Sequence, residues 1–239
     1  MPRIPSLPAA LAAVLLLLPG CVQGSDALLL AVAANFRATA EIVATRFTAA
    51  HDHDVRLVSA STGVLTAQLE RGAPFDVFLA ADAQAPDRLL GRGIGVPGSD
   101  RCYAQGQLVL LGSDNLRCLG ERSLSLAIAN AATAPYGAAA EAVLARPEFA
   151  GAAGRRILRG SNVLQAYQFF RAGGAELALV ARSLTPGQGL PVPREWHAPI
   201  AQHRLVIAES DPVAQAFVDF LDSATVAPVL AAAGYLPCP

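Results

Sequence analysis

Four short uncharged stretches hold the residue types that could do chemistry in this chain: Ala34-Asn35, Ser61-Thr62, Pro135-Tyr136 and Asn162-Val163. Each stands where an apolar run gives way to a helical periodicity. Amide, hydroxyl and backbone N–H groups at such places donate hydrogen bonds, and a helix N-terminus carries partial positive charge. The chemistry they offer is anion binding by neutral donors. Taken singly, each stretch is also an ordinary helix cap, because Asn and Ser are preferred there. The repetition within one chain is what points to a site.

Other reactive types read differently. Ser61 or Ser161 as a hydrolytic nucleophile would need a nearby histidine, and none of the four histidines stands in one of these turns. His51-Asp52-His53-Asp54 has the composition of a metal cluster. It falls between a helix end and a strand, where a solvated polar loop is expected, and a histidine suits a helix C-terminus. Asp76 and Asp82 bracket an apolar strand and stand ~20 Å apart along it. That separation excludes a carboxylate pair, and Asp82 is expected to cap the following helix. No GxSxG, HExxH or GxGxxG motif occurs in the context that would give it meaning.

The elements that must position the four turns follow from periodicity. Leu28 to Ala33 is a continuous apolar run, as in a buried parallel strand. Phe36, Ala40, Val43, Phe47 and Ala50 then recur at helical spacing, with Asn35 as the expected cap. The strand Val55 to Val58 runs into Ser61 and Thr62, and a helix over Val64 to Glu70 follows. Further strands are read at Val77–Ala81, Ser125–Asn130, Ile157–Leu158 and Glu176–Val180. Helices are read from Pro135 to Ala145, where Pro suits the first position, and up to Arg171. A loop rich in Pro and Gly spans 186–199. One strand, Arg204 to Ala208, and two helices, Pro212–Leu221 and Val226–Ala233, end the chain and are expected to pack back on one lobe. Alternating strands and helices build parallel sheets with helices on both faces, and two such blocks suggest two lobes. Ligands in such folds bind beyond the carboxyl ends of the strands.

AVAANF at 31–36, STGVLTAQLERGAPFDVFLAAD at 61–82, APYG at 134–137, SNVLQA at 161–166 and AAGY at 232–235 span nearly all of the chain beyond its leader. Through them the chain resembles the periplasmic molybdate-binding proteins of ABC importers, within the two-lobed solute-binding proteins. The resemblance implies a type II periplasmic-binding-protein fold. In it, each lobe is a mostly parallel sheet flanked by helices, and the ligand lies in the interlobe cleft. Lobe I would comprise 26–104 and 200–239, and lobe II 105–199. It implies that the chain is not an enzyme and needs no cofactor. The ligand would be molybdate or tungstate, a metal bound as its oxyanion with no direct cation ligand. The partners implied are an inner-membrane permease and a separate ATPase subunit. Sulfate or another oxyanion is the alternative ligand. The oxyanion contacts carry over to Ala34, Asn35, Ser61, Thr62, Tyr136 and the backbone of Val163. Ala181 stands where some members carry a ligand-binding tyrosine, so the chain resembles the branch with one tyrosine, Tyr136.

The amino terminus suits an exported protein. Arg3 precedes the short apolar stretch Leu11 to Leu18, which is too short to span a bilayer and reads as part of a signal peptide over 1–24. Leu18-Pro19-Gly20-Cys21 resembles a lipobox, which would leave Cys21 lipidated in the periplasm; ordinary cleavage near Gly24 is the other possibility. About 215 of the 239 residues then remain, enough for one large or two small domains. A net charge of −1 gives no reason to expect nucleic acid, and the expectation is a monomer. All 18 basic residues are Arg, which excludes a P-loop lysine and a Schiff-base lysine. Cys102, Cys118 and Cys238 permit one disulfide in an oxidising compartment, and the sequence leaves the pair open.

Overall fold

The computed structural model describes residues 27–207 and 211–238. The leader over 1–24, the lipobox cysteine Cys21 and the expected strand end at Ala208 lie outside them. In chain order the first block holds β1 (Leu28–Ala33), α1 (Arg37–His51), β2 (Val55–Ala60), α2 (Thr62–Leu69), β3 (Val77–Ala80), α3 (Gln84–Leu90) and β4 (Arg101–Gly106). The second holds β5 (Leu108–Leu111), β6 (Leu126–Ala129), α4 (Pro135–Leu144), β7 (Ile157–Gly160), α5 (Val163–Arg171), β8 (Leu177–Ala181) and the two-residue β9 (Leu190–Pro191). The chain returns through β10 (Ile200–Val206) and ends in α6 (Pro212–Leu221) and α7 (Ala227–Ala232).

Two five-stranded sheets result, ordered β2-β1-β3-β10-β4 and β7-β6-β8-β5-β9. In the first, β2, β1, β3 and β4 run one way and β10 runs against them. In the second, β5 alone runs against the other four. The fold is two-lobed α/β. β1, β3, β6 and β8 are the continuous apolar runs of the sequence, and apart from Leu29 every residue in them is buried. Helices covering both faces make such runs necessary. β2 alternates in exposure, as an edge strand should.

The two sheets exchange chain twice: at Gln107, between β4 and β5, and between β9 and β10. The carboxy-terminal helices pack on the first sheet. Phe217, Val218, Leu221 and Val226 share a buried cluster with Phe36, Val43 and Phe47. Phe47 meets Phe217 edge-on, with ring centroids 5.2 Å apart.

Several local expectations need correction. The last strand begins at Ile200, not Arg204, because Gln202 and Arg204 are buried polar residues with partners and do not mark a loop. β4 and β9 were not foreseen, since neither has an apolar run. α1 starts at Arg37, with Phe36 at the capping position and no side-chain cap; Asn35 turns elsewhere. α2 starts at Thr62, two residues earlier than expected, and the Ser61 side chain makes no cap bond.

Asp76 and Asp82 do lie at opposite ends of β3. The Asp76 carboxylate accepts from Leu29 N–H at 2.6 Å, and that of Asp82 accepts from Ala85 N–H at 2.8 Å at the start of α3. His51 closes α1 and stacks on Phe47 at 4.3 Å, and Asp52 takes the left-handed conformation that ends the helix, with φ 52°. Among the described residues no group of three or more His, Cys, Asp or Glu side chains could hold a metal ion. Cys102 and Cys238 form a disulfide, and Cys118 is a buried free thiol.

Candidate anion site between the lobes

β1, β2 and β3 deliver their carboxyl ends to one side of the cleft, and β6 and β7 deliver theirs to the other. The cavity enclosed there is lined by Ala33, Ala34, Asn35, Ser61, Thr62 and Ala81 from the first lobe. From the second come Ala134, Pro135, Tyr136, Asn162 and Val163. All six residues singled out in the sequence are therefore brought together. Ala81, Ala134 and Asn162 line the cavity as well, although the resemblance assigned them no oxyanion contact. Ala81 and Ala134 bear no functional group that a sequence could flag, and Asn162 stood in a turn already identified. The lining carries no charged side chain. The space open to the centre of a water-sized sphere is about 10 Å³, room for about one water molecule.

Backbone donors dominate. Thr62, Tyr136 and Val163 stand in the first turns of α2, α4 and α5, where helical N–H groups lack intrahelical acceptors, and Asn35 stands in the turn that leads from β1 into α1. Among the described residues none of these four N–H groups has a backbone acceptor. Asn162 caps α5 by accepting from Gln165 N–H at 2.9 Å. The Thr62 hydroxyl accepts from Ala81 N–H at 3.1 Å and so ties two cavity turns together. The hydroxyls of Ser61 and Tyr136 are buried without a hydrogen-bond partner.

Asn35 is a hub and not a cap. Its Nδ2 donates to Gln202 Oε1 at 2.7 Å and to Tyr235 Oη at 3.0 Å. Gln202 Nε2 donates to the Ile200 carbonyl at 3.1 Å, which fixes the amide orientations. The Asn35 carbonyl accepts from Ser183 Oγ at 2.8 Å and from Tyr235 Oη at 3.0 Å. With both amide hydrogens engaged inside the protein, the donor Asn35 has for a ligand is its backbone N–H. Gln202 reaches the hub through a β-bulge. It faces Ala104, while His203 faces Cys102, so Tyr103 is the extra residue. Gln202 and Ser183 gave no sequence signal. Tyr235 lay within AAGY, which did.

Burial pushes the Tyr136 and Tyr103 phenols well above their ordinary range, and the neighbouring Tyr235 adds to the effect. Tyr136 therefore stays a protonated donor near neutral pH. None of the four histidines lines the cavity; His203 pairs with Asp100 at 2.8 Å, and His197 Nδ1 lies 2.8 Å from the Ala198 carbonyl. Ser61 thus has no base beside it. The lobes touch directly where Gly63 N–H donates to the Thr133 carbonyl at 2.9 Å. A Cβ on Gly63 would lie 3.1 Å from both Thr133 Cα and O.

The family model for bacterial extracellular solute-binding protein matches residues 28–236. The chain is 38% identical over 231 residues to the molybdate-binding protein ModA of Azotobacter vinelandii, covering 90% of this chain and 92% of that one. It is 34% identical over 218 residues to the molybdate-binding protein ModA of Rhodobacter capsulatus, covering 86% of each. Among solved structures, the periplasmic molybdate-binding protein of Azotobacter vinelandii superposes with a TM-score of 0.83 at 30% identity, over 89% of this chain and 100% of that one.

Proposed function

Because the chain belongs to the family of bacterial extracellular solute-binding proteins, we propose that it captures molybdate, and also tungstate, and passes it to an inner-membrane ABC permease with a separate ATPase. The observation that carries this reading is the uncharged cavity lined by Ala34, Asn35, Ser61, Thr62, Tyr136 and Val163. Its relatives are binding proteins, and the 38% identical one is named for molybdate.

A dianion can be held there without a counter-charge. Hydrogen bonds to a charged group contribute about 1.5–3 kcal/mol each, and a helix N-terminus adds about 0.3–1 kcal/mol. Three helix starts, the Asn35 turn and two unpaired hydroxyls supply such donors without burying an arginine. The closed cavity has room for about one water, and a tetrahedral oxyanion is larger. Loading then goes with a slight parting of the lobes about the two crossovers. In this reading lobe I is 26–104 with 200–239 and lobe II is 105–199, the ligand bridges them, and the closed form is what the permease recognises. The protein works as a monomer in the periplasm, where its disulfide is stable. Cys21 is the residue a lipid anchor would use.

Calorimetric titration of the purified mature protein with molybdate, tungstate and sulfate tests the reading. Molybdate and tungstate are expected to bind alike, and sulfate at least ten-fold more weakly. All three are tetrahedral dianions, so size decides: a smaller anion cannot reach donors fixed on both lobes, and each unmet donor forfeits its bond. Equal affinity for sulfate would replace this reading with that of a general oxyanion binder.

Closure itself is testable at Gly63. Gly63→Val is expected to weaken molybdate binding by about ten-fold, since the branched side chain would meet Thr133 as the lobes close. Without ligand the protein should melt no higher than wild type, because the clash with Thr133 falls on a contact already made in this structure and offsets the helix propensity gained on replacing glycine. Undiminished affinity would show that the lobes close without the Gly63–Thr133 contact.

A further inference from the structure

Gly106 ends β4 at the point where the chain first leaves the lobe I sheet, and it pairs with Ile200 of β10. Its φ is not positive, so the backbone does not require glycine. The space around it does. A Cβ built there would stand 2.1 Å from Tyr136 Oη, 3.0 Å from Tyr136 Cζ and 3.1 Å from Gln202 Nε2. Tyr136 lies in the second lobe at the start of α4, whereas Gln202 lies in the first and carries Asn35 on its Oε1. The missing side chain is thus the seat on which a tyrosine from one lobe meets the amide hub of the other.

We propose that Gly106 is a positioning residue of the oxyanion site: by lacking a Cβ it seats the Tyr136 hydroxyl, and so sets the aim of that donor. The inference rests on the reading of the cavity as an oxyanion site. Neither neighbour has an easy escape. Tyr136 is 1% exposed and Gln202 is 0% exposed, so neither can swing into solvent. Gln202 is also held at both ends of its amide, by Ile200 and by Asn35. A methyl group at 106 must therefore drive the phenol away by more than 1 Å to restore ordinary contact. Removing the hydroxyl lifts the worst clash. Against Cζ and Gln202 Nε2 only a few tenths of an ångström are then needed.

The test is a cycle of four proteins: wild type, Gly106→Ala, Tyr136→Phe and the double variant. Each is titrated with sodium molybdate and melted without ligand. Gly106→Ala is expected to weaken binding at least ten-fold and to lower the melting temperature of the unliganded protein. In the Tyr136→Phe background the same change should alter affinity by less than about three-fold and recover most of the lost melting temperature. If Gly106→Ala fails to fold, folding of the double variant supports the seat, and its failure to fold overturns it. The proposal also falls if Gly106→Ala binds as wild type, or if the loss is as large when the hydroxyl is gone. Should the wild type give no heat with molybdate, the functional reading fails, and the melting cycle alone still decides whether Gly106 seats Tyr136.

Discussion

Tyr136→Phe is expected to weaken molybdate binding by roughly ten- to a hundred-fold while the unliganded protein melts within about 1 kcal/mol of wild type. The two halves of this expectation have separate causes. The Tyr136 hydroxyl is buried and makes no hydrogen bond to another group of the protein. Within the protein the hydroxyl makes no bond that phenylalanine would forfeit. Phenylalanine keeps the ring, its seat against Gly106 and its packing, so the unliganded protein loses no bond by the change. With the oxyanion bound, the proposed role of the hydroxyl is to donate to a ligand oxygen. A hydrogen bond to a charged group contributes about 1.5–3 kcal/mol, which is the stated range of affinity. Because burial holds the phenol above its ordinary range, the donor persists and wild-type affinity should not fall through its ionisation over about pH 6–9. Titration and melting of both proteins check this. A Phe variant that binds as wild type but melts lower would make Tyr136 a packing residue.

What could be read from the sequence, and what could not, divides along physical lines. β1, β3, β6 and β8 announce themselves because strands buried on both faces must be apolar throughout. The site turns are legible for a related reason. A parallel strand leading into a helix exposes N–H groups at one place, and small or hydroxyl residues there leave them open. β4 has no such signature. Arg101-Cys102-Tyr103-Ala104-Gln105-Gly106 mixes types because its neighbours are a buried amide, a disulfide and a bulge, all set by residues distant in the chain. The same holds for Asn35. Its type suits a helix cap, and local preference assigned it that role. Gln202 and Tyr235 outcompete the helix for its side chain, and neither is near it in sequence. Gly106 is silent as well, since its importance lies in an atom it lacks.

Breaking the disulfide is expected to cost more stability than any other single change considered, about 2–5 kcal/mol, seen as a fall of roughly 5–15 °C in melting temperature. Cys102 and Cys238 are 136 residues apart, so the bond closes most of the described chain into one loop in the unfolded state. The chain-entropy account assigns about 4.7 kcal/mol to a loop of about 100 residues, and less is usually realised. Part of the native tail is held by other means. Gln105 and Leu236 exchange backbone hydrogen bonds at 2.7 and 2.9 Å, and Gln107 Nε2 donates to the Gly234 carbonyl at 2.7 Å. These contacts lace the tail across the first crossover and present Tyr235 to Asn35. They should keep the tail in place after reduction, so the reduced protein is expected to gain nearly the same melting shift from molybdate as the oxidised one. Cys118→Ser supplies the control. That thiol is buried and free, and its replacement should leave the response to reductant unchanged. Melting of wild type, Cys102→Ser/Cys238→Ser and Cys118→Ser with and without reductant separates the contributions. Reduced wild type melting within about 1 kcal/mol of the oxidised form would mean that the lacing alone holds the tail. Loss of the molybdate shift on reduction would mean that the disulfide, acting through Tyr235 and Asn35, also sets the geometry of the site.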